Sequence, residues 1–154
     1  MRSVLLDTNL LVLLIVGLYN KKVIGNHKRT RAFTEQDFDL LINHIGGYDI
    51  LWITSHCIAE TSNLLKQTHE NQAKELLSVL CTFMSDKKES HIPKEVIFGN
   101  NYLMRLGVTD TGIIIKSKRV DCVFTVDFDL YAEISRLGYN VKNFNHLRME
   151  MLLQ

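Results

Sequence analysis

Residues 3–18, SVLLDTNLLVLLIVGL, are almost wholly apolar, with one carboxylate, Asp7, set inside the run. An ionised carboxylate among aliphatic side chains is costly unless something compensates its charge. The run divides at that point. Ser3–Leu6 reads as a short buried strand, and Thr8 or Asn9 opens a helix over Leu10–Leu18. A strand apolar along its whole length belongs to a parallel sheet covered on both faces. Asp7 then stands at its carboxyl end.

The rest of the chain repeats this alternation. A polar, basic stretch, KKVIGNHKRTR, covers residues 21–31, and TEQDFDLLINHIGG follows as a helix with Thr34 as cap and Gly46-Gly47 as stop. DILWIT (49–54) has the β-branched and aromatic content of a strand. Ser55 is the expected cap of the next helix, which carries Glu60. Ala73, Leu76, Leu77, Leu80 and Met84 recur at helical spacing between about Glu70 and Met84. DKKESH reads as a loop, and Pro93 as the first turn of a helix ending near Gly107. Thr109 is expected to cap a short helix, TDTGIIIKSK. DCVFTVD is a third strand, FDLYAEISRLG a helix closed by Gly138, and YNVKNF a last strand. Strands alternating with helices throughout predict a three-layer α/β/α fold with a mainly parallel central sheet, in one domain over residues 1–154.

Composition narrows the function classes. Lys and Arg number 18 against 17 Asp and Glu, so the chain as a whole is not a polycation built to coat nucleic acid. Cys57, Cys81 and Cys122 form no CxxC pair, and each lies in an apolar context, which predicts buried, reduced thiols. The histidines show no spacing typical of zinc, and no serine or cysteine finds an evident His/Asp partner. Asp7 and Asn9 break the N-terminal apolar run and no small-residue cleavage site follows, so a secretory leader is not expected. Leu10–Leu18 is far short of the roughly 20 residues that span a bilayer. The expectation is a cytoplasmic protein with no membrane partner.

In an open parallel sheet, sites form at the carboxyl ends of the strands. Asp7 ends one strand and Asp127 ends another. Asp110 lies at the start of a predicted helix, and Glu60 about one turn into the helix after DILWIT. Taken singly, each has a plainer explanation: a helix cap for Asp7 and Asp127, a helix-start acid for Asp110, a solvated helix residue for Glu60. Taken together they fall on one edge, where their mutual repulsion calls for a proton or a cation. Mg²⁺ or Mn²⁺ suits an all-oxygen donor set.

Four stretches in order, LLDTNLL, SHCIAETSNLL, LGVTDTGIII and VFTVDFDL, resemble the motifs of the PIN domains and span roughly residues 3 to 144. The resemblance implies metal-dependent hydrolysis of RNA phosphodiester bonds, leaving 5′-phosphate and 3′-hydroxyl ends. It makes Asp7, Glu60, Asp110 and Asp127 the catalytic acids, with Asp7, Asp110 and Asp127 as metal ligands. Asn9 and Thr125 become supports that orient the carboxylates, and Asp129 is either a further acid beside them or an exposed helix-start residue. Val126 stands where the family often has a polar residue, and the interval before Glu60 is longer than in the small toxin members. The resemblance also implies, as partners, an RNA substrate, an antitoxin protein of a toxin–antitoxin pair, and a second copy of the chain in a homodimer.

Local charge supplies the substrate contacts. Lys21, Lys22, His27, Lys28, Arg29 and Arg31 form the densest basic cluster, with Lys28, Arg29 and Arg31 as the expected RNA-binding residues; the plain alternative is a solvated loop. Lys116, Lys118 and Arg119 make a smaller cluster. Two other functions stay open. One is a PIN-like nucleic-acid or protein binding module without catalysis, which metal-dependent cleavage would exclude. The other is a phosphate-handling α/β domain with a nucleophilic aspartate, disfavoured because no DxD follows the first strand and no strand ends in lysine.

Overall fold

The computed structural model describes residues 1–154. Five strands form one all-parallel sheet in the order β3-β2-β1-β4-β5. β1 is Ser3–Leu6, β2 Ile50–Thr54, β3 Lys88–Ser90, β4 Cys122–Thr125 and β5 Val141–Asn143. Eight helices connect and cover them, which gives the three-layer α/β/α arrangement.

β1 is the central strand, with Leu5 opposite Trp52 of β2 on one side and Val123 of β4 on the other. All four of its residues are buried, which is why SVLL carries no polar alternation. α1 (Thr8–Tyr19) follows directly and is buried from Leu10 to Gly17. A helix apolar all round must be covered all round. α1 achieves this by lying among β1's sheet, α2 (Glu35–Ile45), α3 (Ser55–Leu65) and α4 (Glu70–Met84). Gly17 permits the closest of these contacts: a Cβ there would meet the Phe38 ring of α2 at 2.0 Å.

The chain runs from β1 outward to β2 and β3 on one side, then returns to place β4 and β5 on the other. The reversal falls between β1 and β4. In open α/β sheets this is where a crevice opens beyond the carboxyl ends of the strands.

Several local expectations are corrected. DKKESH is not all loop: Lys88–Ser90 pairs in parallel with Trp52–Thr54 as an edge strand, whose charged, exposed residues left no hydrophobic signal. α3 is capped by Thr54, whose hydroxyl accepts from the Cys57 N–H at 3.1 Å, and Ser55 is already helical. Pro93 precedes a helix of only five residues, α5 (Lys94–Phe98), closed at Gly99. α6 (Leu103–Ser117) then runs through a break at Gly107, whose φ of 83° only glycine adopts without strain. The N-terminal start expected at Thr109 is therefore set by that glycine. A final helix, α8 (Phe144–Leu152), follows β5 where only the strand was foreseen. α7 (Phe128–Arg136) ends as expected, near Gly138 at φ 84°. Cys57 and Cys122 are buried, but Cys81 lies exposed on α4. No helix is long and apolar enough to cross a membrane.

Candidate active site

Asp7 and Asp127 occupy equivalent places on the two strands that flank the reversal. Each follows its strand and caps the next helix, Asp7 through Leu10 N–H and Asp127 through Leu130 N–H, both at 3.0 Å. The plain explanation of both acids is thus realised, and it leaves each with further acceptor capacity. The other Asp7 oxygen accepts from the Thr125 hydroxyl and from the Val126 N–H at 3.1 Å. Thr125 accepts in turn from the Asp127 N–H at 2.9 Å, so one hydroxyl ties the two strand ends together.

Asp7 is only 4 % exposed. Hydrogen bonds to a charged acceptor contribute about 1.5–3 kcal/mol each. Three of them compare with the several kcal/mol lost on burying an ion. Burial still wins: it pushes the Asp7 carboxyl above its ordinary range, with Asp127 adding to the rise and the three donors opposing it.

Asp110 has less support. Its carboxyl is pushed up to about 7, first by burial and then by Asp127, Asp7 and Glu60. All of these influences act in one direction. The field of the other three acids is therefore felt at Asp110, although they come from β1's end, α3 and β4's end. Glu60 sits exposed on α3 and accepts from the hydroxyl of Thr109, the residue before Asp110, which links α3 to α6.

Asp7, Glu60 and Asp110 are each followed by a buried threonine: Thr8, Thr61 and Thr111. Successive helical residues point about 100° apart. With the threonines buried, Glu60 and Asp110 lie off the buried face, Glu60 exposed and Asp110 half-buried. None of the three hydroxyls has a hydrogen-bond partner in the protein.

The supporting residues divide. Thr125 contacts Asp7 as expected, whereas Asn9 is exposed in the first turn of α1 and hydrogen-bonds to none of the acids. Asp129 is exposed in the first turn of α7. Thr109 and the Val126 N–H were missed. Thr109 looked like a cap, and a backbone donor leaves no mark in a sequence.

No three His, Cys, Asp or Glu side chains stand at metal-ligating spacing. The donor set nonetheless fits Mg²⁺, which usually keeps several waters and takes only one or two carboxylates from the protein. A divalent charge would also offset the burial and the neighbouring carboxylates that raise the Asp110 carboxyl. Glu60 is exposed and Asp110 and Asp127 are half-buried, so the site is a rim open to solvent.

The basic segment is more structured than a solvated loop. His27 is buried, its Nδ1 accepting from the Arg29 N–H at 3.0 Å and its Nε2 lying 3.2 Å from the Leu65 carbonyl. Its buried ring anchors the segment and is not an exposed contact for phosphate. Lys21 pairs with Asp39 at 2.8 Å, and Arg29 donates to Gln67 at 2.6 Å. Lys22, Lys28 and Arg31 remain exposed. The anchor at Leu65 is about 15 Å along α3 from the strand end, at 1.5 Å per residue. The second cluster is partly spent: Lys116 lies over the Trp52 ring at 3.7 Å. Ser55 donates to Glu89 at 2.6 Å and is 3.5 Å from His91 Nδ1. Because its proton points at the carboxylate, this group does not form a nucleophile–base pair. No protein-family model matches the chain, and no curated protein matches it.

Proposed function

We propose that the protein is a metal-dependent endoribonuclease of PIN type, acting through Asp7, Glu60, Asp110 and Asp127. The observation that carries this reading is that Asp7 and Asp127 close the two strands flanking the reversal and are tied together through Thr125, with burial and these acids together raising the neighbouring Asp110 carboxyl. Such a concentration of acid at a sheet's switch point suits cation binding. The open rim suits a polymer better than a small molecule, which would be enclosed. Motif order along the chain supports the family reading. The toxin role, the antitoxin and the homodimer belong to the same proposal.

One or two carboxylates from among Asp7, Asp110 and Asp127 would hold Mg²⁺ or Mn²⁺, with water filling the remaining positions. When bound, the ion supplies a water acidic enough to attack near neutral pH and a counter-charge for the phosphate oxygens. Thr125 and the Val126 N–H fix the Asp7 carboxylate against rotation. Asp110 would hold the ion as its carboxylate. Glu60, held by Thr109, orients the attacking water.

The test is incubation of mixed RNAs with Mg²⁺, with Mn²⁺ and with chelator. Cleavage that needs the metal and leaves 5′-phosphate ends is the expected result. Nucleic-acid binding without metal-dependent cleavage would leave the binding-module reading in its place.

A further inference from the structure

α7 and α8 begin at the carboxyl ends of the neighbouring strands β4 and β5, so their first turns lie side by side on the rim that carries the acids. Three rings occupy these turns in a row. Phe128, next to Asp127, is 67 % exposed. Its ring lies 6.5 Å from that of Tyr131, centroid to centroid, and tilted to it by 44°. Tyr131 meets His146 of α8 edge-on at 5.3 Å. His146 is itself exposed and Tyr131 half-buried. The Leu130 side chain, two residues on from Phe128, is fully buried in the core. Phe128 is thus directed outward by its helix phase, next to Asp127, and the row of rings runs on from it through Tyr131 to His146.

We propose that Phe128, Tyr131 and His146 form a stacking platform for unpaired bases of a single-stranded nucleic acid. The inference rests on the reading of the acids as a phosphodiester site, and it sets which form of polymer reaches them. A ring face accepts any base, since every base has a π-face, so the platform favours single strands without reading sequence. Bases inside a duplex are stacked on each other and offer no face to Phe128. Rings beside Asp127 would seat bases next to the bond presented to the acids.

The test measures binding in chelator, where no cleavage occurs. The probes are labelled oligoadenylate as RNA, the same sequence as DNA, and a fully paired duplex. Phe128→Ala should weaken single-strand binding about tenfold, in the range found for loss of one base–aromatic stack, and leave duplex binding unchanged. Phe128→Trp should restore affinity, with its emission quenched on binding beyond the signal of Trp52. Tyr131→Ala should weaken the same two single strands. Wild-type affinity in Phe128→Ala, equal loss on duplex, or no single-strand binding by the wild type overturns the platform. The two readings fail separately. Metal-dependent cleavage with normal binding by Phe128→Ala removes only the platform. Ring-dependent binding by a chain that never cleaves removes only the hydrolysis.

Discussion

Thr125 donates its hydroxyl proton to Asp7 and accepts the backbone N–H of Asp127 at 2.9 Å, coupling the ends of two adjacent strands through one side chain. Replacing it with valine keeps the shape and deletes both bonds. Thr125→Val should cost about 1–3 kcal/mol in urea unfolding, the penalty for leaving buried polar groups unpaired. Thr125→Ser should recover most of the loss. If valine were as stable as threonine, the bridge would have no energetic role.

Asp7→Asn tests charge apart from packing. The amide can still cap α1 at Leu10, but one of its ends must face donors already committed to the carboxylate. Removing a buried charge offsets that mismatch. The variant should fold, with stability within about 2 kcal/mol of wild type, and should lose RNA cleavage. A folded variant that still cleaves would refute the assignment of Asp7.

Asp110 makes stability depend on pH in a defined direction. Its carboxyl rises from an ordinary 3.8 to about 7 in the folded protein. The fold tolerates the neutral form, so this group costs nothing below 3.8, costs progressively more up to about 7, and adds no further cost above that. Asp110→Asn should therefore raise Tm at pH 8, on the order of a few °C, and leave it unchanged near pH 3.5. Mg²⁺ should raise the wild-type Tm at pH 8 by more than that of Asp110→Asn. Equal Tm values at both pH values would remove the acid cluster's electrostatic cost.

Lys28, Arg29 and Arg31 stand on the segment anchored by His27. If they contact phosphates, changing all three to glutamine should lower the slope of log affinity against log salt by about 2 for single-stranded RNA. Circular dichroism should be unchanged. An unaltered slope assigns the segment to structure alone.

The VLL run of Val4–Leu6 and the acid closing it determined a parallel strand with an acid at its carboxyl end. Thr34, Gly46 and Gly138 marked helix ends through local backbone chemistry, which acts over a few residues and is therefore written locally. The order and spacing of Asp7, Glu60, Asp110 and Asp127 nominated the acids. What the sequence could not carry was anything that depended on neighbours distant along the chain. β3 is a strand because β2 offers it an edge, and its own Lys-Glu-Ser gave no sign of this. The switch point between β1 and β4 exists only in the strand order. The rise of Asp110, the tie from Thr109 to Glu60, and the meeting of Tyr131 with His146 all arise across elements. Charge repulsion, hydrogen bonds and ring contacts act through a few ångströms of space, and only the folded chain sets those distances.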